Sequence, residues 1–269
     1  MSNTNVLAPP GLMNTNNTCW LNSIVQALIS LPPVADFFVS AAELSDGSAR
    51  SVIIAEFKRI IQSQGNDFIL PKTFESVMSA MEPRGMNTQK DAHEAFMYII
   101  GLIPELKQFF LLRIFSRVVC GCGVARDVRE DAVSYGVLRS NLGDIAGSLT
   151  GKIDATVAID YKCEHGRAPT IQATKYTSLC YIGEIITLLV EKSTINFNIP
   201  LNFVIKGKES EMRYLLWAKI DHSGDLSGGH YWASGIRGKT VYMFNDSHVQ
   251  PTTMHGVSNT ASMLFYLRC

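Results

Sequence analysis

The stretch from Gly229 to Asp246 reads GHYWASGIRGKTVYMFND, and it carries the strongest fold signal in the chain. Apolar and β-branched residues lie on both sides of Gly238-Lys239. This pattern predicts a β-hairpin in which glycine takes the first central position of a type II′ turn. In that register Arg237 faces Thr240 across the two strands.

His230 and Asn245 share one face of this predicted hairpin. Trp232 faces Asn245, and side chains two residues apart along a strand point to the same side. His230 and Asn245 are therefore diagonal neighbours, with about 7–8 Å between their Cα atoms. Asp246 is expected on the opposite face, facing Tyr231. An imidazole oriented by an amide supplies two of the three catalytic groups of a thiol protease. The third group, a cysteine, must then lie elsewhere in the chain.

A candidate nucleophile lies in the segment Gly11–Leu28, which reads GLMNTNNTCWLNSIVQAL. Its first half favours a loop, and from Trp20 onward the apolar residues follow helical spacing with Thr18 at the N-cap position. Cys19 would then lie in the first helical turn, where backbone N–H groups favour thiolate and lower the thiol pKa. Proximity to His230 would lower it further. Taken alone, a cysteine is equally often a small buried hydrophobe.

These residue types predict a division of catalytic roles. Cys19 is the nucleophile, His230 the general base and Asn245 the group that orients the imidazole. Asn14, in the loop before the helix, could direct its amide at the oxyanion, with the Cys19 N–H as a second donor. Asn245 is neutral and adds no counter-charge, so Asp246 is expected to supply negative charge nearby.

The cysteine segment resembles the cysteine box of the ubiquitin-specific proteases, deubiquitinases with a papain-like fold, whose pattern is GLxNxGNTCYxNSxxQxL. The chain departs from it at Asn16, where the family has glycine, and at Trp20, where it usually has tyrosine. Asparagine tolerates a left-handed backbone better than most residues. Tryptophan keeps an aromatic ring.

Three further segments resemble motifs of the same family and follow in the same order. Residues 89–96, QKDAHEAF, are similar to QQDAHEFL, and they predict a helix capped by Thr88 with Asp91 three residues on. Residues 221–246 resemble the histidine box, HxG, GHYxA and YxF(D/N)D. Residues 259–268, NTASMLFYLR, resemble the closing strand AYxLFYxR. Four ordered motifs are far more specific than one.

The expected fold is α+β, with helices first and strands afterwards. The resemblance implies a papain-like cysteine protease fold with a helical thumb, β-rich fingers and an antiparallel-sheet palm. One catalytic domain would span 1–269, divided near 11–110, 111–185 and 186–269. The pattern predicts helices near 19–30, 51–63, 73–81 and 88–103, and strands at 114–119, 155–161, 185–190, 203–205 and 214–220, besides the hairpin.

By resemblance, the chain is a thiol isopeptidase that acts at the C-terminal glycine of ubiquitin through a thioester intermediate. Asp91 and Glu94 are expected to contact the substrate's tail. Gly228 and Gly229 leave room for an extended backbone beside His230, and Tyr231 completes the expected substrate-binding residues. The partners would be ubiquitin and ubiquitinated proteins.

Four soft ligands predict a structural Zn²⁺ site. Cys120 and Cys122 lie between strands, and Cys163 and His165 follow later in the chain. Two close pairs could bind Zn²⁺ tetrahedrally as Cys₃His. The family often has paired CxxC knuckles in the fingers, whereas this chain has CxC and CxH, a shorter spacing that weakens the signal. The alternative is a lost site, since some family members keep the fingers without metal.

Amino-acid composition limits the number of domains, the classes of binding partner and the cellular compartment that we expect. At 46% hydrophobic, 269 residues can bury the core of one large domain or two small ones. Lys and Arg total 24 against 24 Asp and Glu, so binding to nucleic acid or membrane has no electrostatic support. We expect no signal peptide or transmembrane segment. Six cysteines then indicate a reducing compartment, which would be the cytoplasm or nucleus. The compact chain would also suit a divergent, viral member of the family, and the compartment would then be the host cytoplasm. We expect a monomer.

Three alternatives stay open at this level. The same chemistry could act on another ubiquitin-like modifier, which the catalytic motifs do not distinguish. A papain-like viral protease that processes a polyprotein would need an internal cleavage site, but Gly228-Gly229 lies inside the predicted active-site loop. A non-catalytic ubiquitin-binding module is disfavoured by the intact Cys19, His230 and Asn245.

Overall fold

The helices of the protein precede most of its strands, as the sequence predicts. The computed structural model describes residues 8–42, 46–63, 65, 67–80, 90–120, 123–137, 139–150, 153–155, 173–191, 195–206, 211–224 and 228–269. The α-helices are α1 (Cys19–Ser30), α2 (Pro32–Ser40), α3 (Ala49–Gln62), α4 (Lys72–Ser79), α5 (Ala92–Leu102), α6 (Lys107–Phe110) and α7 (Ile145–Thr150), with 3-10 turns at Pro104–Leu106 and Arg139–Asp144.

Helix α1 is the centre of the core, because every one of its residues is buried. Its apolar stripe, predicted from spacing, packs among the other helices and the sheet. Its polar face is also enclosed, which amphipathic spacing does not predict. Among the described residues, no single helix is long and apolar enough to cross a membrane. Helices α1 and α2 meet that test only as a pair bent by 91°.

Helices α2 and α5 differ from the sequence prediction in different ways. Helix α2 begins at Pro32-Pro33, and the sequence pattern did not reveal it; proline is accommodated in a first helical turn, where the missing N–H has no helical partner. Helix α5 begins at Ala92 and not near residue 88. Its capping side chain is Asp91, which accepts the N–H of His93 at 2.7 Å. Thr88 lies outside the described residues.

The strands of the described residues form three sheets. A four-stranded sheet has the order β2-β1-β5-β4, and an eight-stranded sheet runs β12-β11-β10-β9-β14-β6-β3, with β8 paired to β9. Strands β13 and β7 form the third. Their bounds are β1 Leu112–Cys120, β2 Ala125–Ala132, β3 Tyr135–Val137, β4 Ile153–Ala155, β5 Ala173–Ile182, β6 Ile185–Val190, β7 Phe197–Asn198, β8 Asn202–Lys206, β9 Glu211–Gly224, β10 Gly229–Arg237, β11 Thr240–Asn245, β12 His248–Thr252, β13 Val257–Ser258 and β14 Ala261–Arg268.

Strand β2 was missed because it reads ARDVREDA, a charged sequence without an apolar alternation. It is held to β1 by ladder hydrogen bonds and by two cross-strand ion pairs, Arg113–Asp131 at 3.0 Å and Arg117–Asp127 at 2.7 Å. The predicted strand at 155–161 lies outside the described residues beyond its first position. The proposed boundaries of thumb, fingers and palm stay a prediction.

The register of the hairpin is confirmed. Arg237 pairs with Thr240, and the ladder continues in that register to Ala233 and Phe244. Gly238 has φ +61°, the left-handed value that the first central position of a type II′ turn requires. Strand β11 ends at Asn245, so the strand alternation stops before Asp246.

The C-terminal turn of α1 is hydrogen-bonded to the hairpin and to the neighbouring strand β9. Arg237 donates to the side-chain oxygens of Ser30 and Gln26, each at 2.8 Å, and Trp217 donates to the Ser30 carbonyl at 2.6 Å. Burial lowers the pKa of Arg237 to about 9, which leaves the guanidinium positive at neutral pH. A positive charge at the C-terminal end of a helix is favourable. Gly235 allows this close approach, because a Cβ there would lie 2.4 Å from the Ser30 hydroxyl.

We predict that Gly235→Ala destabilises the protein by about 1–3 kcal/mol, because the new methyl group overpacks the contact with α1. Urea denaturation measures the change. The matched control is Gly101→Ala in α5, where an added Cβ meets no atom within 4 Å. That change should be neutral or stabilise by up to about 1 kcal/mol. Equal effects of the two substitutions would contradict the proposed packing constraint.

Candidate active site

The loop before α1 has a left-handed backbone at two positions, and it leads into Cys19 at the first turn of the helix. Asn16 and Asn17 have φ values of 65° and 62°. Asparagine is among the few non-glycine residues that adopt this region readily. The departure from the family's glycine at Asn16 is therefore compatible with the loop. Thr18 occupies the N-cap position, but its side chain does not cap the helix.

The loop is clamped to the end of the hairpin. Leu12 donates its N–H to the carbonyl of Asp246 at 2.9 Å, and a Cβ on Gly11 would lie 2.3 Å from the carbonyl oxygen of Ser247. Buried Asn22 on α1 donates to the Leu12 carbonyl at 3.2 Å and to the Asp246 carboxylate at 2.8 Å. Asn22 has no role predicted from the sequence beyond its match to the cysteine motif. Its one local signal is an amide inside a largely apolar helix.

His230 and Asn245 meet as the hairpin register predicts. The Nε2 atom of His230 lies 2.5 Å from Oδ1 of Asn245, and the imidazole ring stacks near Trp232 with ring centres 6.2 Å apart. Because Nε2 is engaged, Nδ1 is the nitrogen left for a reacting group. No hydrogen bond between His230 and Cys19 is found in the described part of the chain.

Asp246 does not lie on the opposite face, so that expectation was wrong. Its φ of 53° turns the chain out of the strand alternation, and its carboxylate enters the site. It accepts from Asn14 Nδ2 at 3.0 Å and from Asn22 Nδ2 at 2.8 Å. It also lies 4.0 Å from His230 Nε2, farther than Asn245.

Asn14 is held at both ends of its amide. Its oxygen accepts the N–H of Thr18 at 2.9 Å, and one N–H donates to Asp246. A carboxamide has two N–H donors, so the second is left for a ligand. The structure thus fixes the orientation of Asn14 next to the start of α1.

Cys19 is buried, and burial is the main reason that its pKa is raised above the usual thiol value. The charge of Asp246 raises the pKa further. The backbone N–H groups of Tyr231, Trp20 and Cys19 itself act in the opposite direction. The expected lowering was therefore wrong, because desolvation outweighs the helix N-terminus. The resting group is a thiol that needs a base.

Comparison with known proteins identifies the family. The family model for ubiquitin carboxyl-terminal hydrolases matches residues 10–109 and 153–266. The chain belongs to the ubiquitin carboxyl-terminal hydrolase family. It is 26% identical to ubiquitin carboxyl-terminal hydrolase 36 of Drosophila melanogaster, over 95% of this chain and 29% of the relative. With ubiquitin carboxyl-terminal hydrolase 25 of Arabidopsis thaliana the identity is 27%, over 97% of this chain and 47% of the relative. The chain thus spans less than half of either relative.

Solved structures confirm the fold of this hydrolase-family chain. The SAGA Ubp8/Sgf11/Sus1/Sgf73 DUB module bound to ubiquitin aldehyde contains a chain that superposes with a TM-score of 0.75 at 19% identity, over 97% of this chain and 69% of that one. The SAGA DUB module bound to monoubiquitin gives the same TM-score at 18% identity. The α+β, papain-like arrangement expected from the sequence is confirmed.

Three of the predicted substrate residues of this hydrolase-family chain, Asp91, Glu94 and Tyr231, lie around the start of α5. The Tyr231 hydroxyl accepts the N–H of Ala92, and exposed Asp91 and Glu94 are close enough to help raise the pKa of Tyr231, although burial is the larger cause. Gly229 packs against His222, because a Cβ there would lie 2.5 Å from the imidazole. The contact with His222 thus explains the need for glycine at position 229 without a substrate.

The predicted zinc ligands fall mostly outside the described residues. Cys120 is buried at the end of β1, while Cys122, Cys163 and His165 lie outside that part of the chain. Within the described ranges, no group of three or more His, Cys, Asp or Glu side chains could hold a metal ion. The zinc site of this hydrolase-family chain stays a prediction.

We predict that alkylation of Cys19 by iodoacetamide accelerates only as the pH exceeds the usual thiol pKa, because burial raises the pKa of this thiol. Asp246→Asn should lower the Cys19 pKa and speed alkylation at neutral pH, because it removes a negative charge that disfavours thiolate. Mass spectrometry of the Cys19 peptide measures the rate. The control, Asp127→Asn on β2, should not change it. A slower or unchanged rate in Asp246→Asn would refute this electrostatic account.

Proposed function

We propose that this chain is a deubiquitinase, a thiol isopeptidase that cleaves the bond between a lysine side chain and the C-terminal glycine of ubiquitin. The observation that carries the proposal is the 2.5 Å contact between His230 and Asn245, together with a cysteine at the start of a buried helix whose thiol faces the backbone N–H of Tyr231, the residue after His230. The family supports it, and so do the ubiquitin and ubiquitin aldehyde bound in the similar solved structures.

Activation of the nucleophile depends on the imidazole tautomer. When Asn245 Oδ1 accepts the proton on Nε2, Nδ1 of His230 is unprotonated and can take the proton of the Cys19 thiol. This base is needed because burial keeps the resting cysteine protonated. Asn245 is neutral, so the charge that stabilises the imidazolium comes from Asp246, 4.0 Å from Nε2.

The thiolate then attacks the carbonyl carbon of the C-terminal glycine. The N–H of Cys19 and the second N–H of Asn14 stabilise the oxyanion, and Asp246 holds Asn14 in place for this. His230 returns its proton to the departing lysine amine. Water, deprotonated by the same imidazole, hydrolyses the thioester and restores Cys19.

Substrate recognition is proposed at the N-terminal end of α5. Asp91 and Glu94 are exposed and acidic, and they lie near Tyr231, whose backbone N–H faces the Cys19 thiol. A Cβ on Gly228 would meet no atom within 4 Å, so there is open space beside this residue. These features suit an extended, glycine-ended tail. The partners are accordingly ubiquitin and proteins that carry it.

We predict that the chain hydrolyses a fluorogenic amide at the C-terminus of ubiquitin and that Cys19→Ala abolishes turnover, because the attacking sulfur is removed. Release of the fluorophore is measured under steady-state conditions. Cys180→Ala, which changes an exposed cysteine on β5, is the matched control and should keep full activity. No wild-type turnover, or turnover that survives Cys19→Ala, would refute the proposal. A parallel amide of another ubiquitin-like modifier tests the alternative substrate.

We further predict that Asn245→Ala lowers kcat about 100-fold, because the imidazole loses the group that fixes its tautomer. Asp246→Ala should lower kcat less, by about tenfold, since the carboxylate orients Asn14 and adds charge at a longer distance. Asp246→Ala should also lower the Tm, because Asn14 and Asn22 lose an acceptor. A larger loss of kcat in Asp246→Ala would show that the carboxylate is the principal partner of His230.

A further inference from the structure

Lys90 is a buried lysine in an unusual environment. Only 4% of it is exposed, and its Nζ has no hydrogen-bond acceptor among the described residues. The ammonium lies 5.7 Å from the centre of the Trp20 ring, a distance typical of a cation–π contact. Burial of a charge without an ionic partner is unfavourable, so an uncharged side chain would suit simple packing better.

Trp20 is unusual in the same way. It is fully buried, and its Nε1 has no acceptor among the described residues. Both residues are departures from the family motifs, which usually have tyrosine at the position of Trp20 and have glutamine at that of Lys90. Two departures that contact each other indicate that the residues act as a pair.

The pair joins the two segments that surround the thiol. Trp20 follows Cys19 at the start of α1, and Lys90 precedes Asp91, which caps α5. The first residue of α5, Ala92, binds the Tyr231 hydroxyl, and the Tyr231 N–H faces the Cys19 thiol. The contacts therefore form a closed ring that runs from Cys19 through the pair to α5 and returns through Tyr231.

We propose that Lys90 and Trp20 form a positioning couple that fixes the Cys19 thiol relative to Tyr231 and the start of α5. The inference rests on the thiol chemistry proposed for Cys19. Neither side chain belongs to the groups proposed to act on the reacting atoms, so both act through the placement of the nucleophile. The couple should therefore control kcat and leave KM unchanged.

Two substitutions at Lys90 distinguish the effect of its charge from the effect of its side-chain volume. Lys90→Met keeps the length of the side chain but removes the ammonium, and it should lower kcat about tenfold with an unchanged KM. Lys90→Arg keeps a cation over the ring and should recover kcat to within about threefold of wild type. Steady-state kinetics on the ubiquitin amide gives both constants.

A double-variant cycle tests whether the residues act as a unit. Trp20→Tyr and Lys90→Gln should each lower kcat. The combined variant installs the residue pair of the family motifs and should be more active than the product of the two single effects predicts. Arg113→Met is the control: its guanidinium also lies 5.7 Å from an aromatic ring, that of Tyr181, but in the four-stranded sheet. It should leave kcat unchanged.

The rate of Cys19 alkylation by iodoacetamide is the second readout, because it needs no ubiquitin. It should change in Lys90→Met, recover in Lys90→Arg and stay unchanged in Arg113→Met. Two outcomes would contradict the proposal that Lys90 and Trp20 act as a couple. One is full kcat and an unchanged alkylation rate in Lys90→Met. The other is a combined variant whose loss of kcat equals the product of the two single losses. Failure of the wild type to cleave the ubiquitin amide would contradict the proposed function instead. The alkylation rate would still test whether Lys90 and Trp20 position Cys19. If Trp20→Tyr does not fold, the two Lys90 substitutions decide it.

Discussion

Helix α1 is enclosed on every side, so the hydrogen bonds of its polar side chains are made inside the protein and not with water. Asn22 bonds to the loop before the helix and to Asp246, and Gln26 donates to the Pro10 carbonyl at 2.8 Å. Ser30 and Gln26 accept from Arg237. These buried hydrogen bonds fix the helix in translation and rotation against the hairpin. The position of Cys19 relative to His230 is a consequence of them.

Asp246 has opposing effects on the proposed chemistry. Its charge raises the pKa of Cys19, which disfavours the attacking thiolate. The same charge lies 4.0 Å from His230 Nε2, where in the proposed mechanism it faces the imidazolium that the neutral Asn245 leaves without a counter-charge. It also holds the amide of Asn14. A carboxylate placed between two amides is therefore a compromise, suited to the ion pair formed during reaction and not to the resting thiol.

The departures from the family motifs differ in physical kind. Asn16 replaces glycine at a left-handed position, and the backbone is kept because asparagine tolerates that region. Trp20 and Lys90 change chemistry, since they place a buried ammonium against an indole ring beside the nucleophile. A motif comparison scores these three departures alike, whereas the structure shows that Asn16 keeps a left-handed backbone and that Trp20 and Lys90 contact each other.

The sequence by itself determined the α+β order, the hairpin register and the pairing of His230 with Asn245. Periodicity and turn chemistry are local, so they are readable from neighbouring residues. Charged β2 and proline-initiated α2 escaped prediction because packing and pairing stabilise them, not an apolar pattern. Only the tertiary structure decided that Asp246 enters the site, that burial raises the pKa of Cys19, and that Lys90 contacts Trp20. Each depends on groups far apart in the chain, whose approach is set by the enclosure of α1.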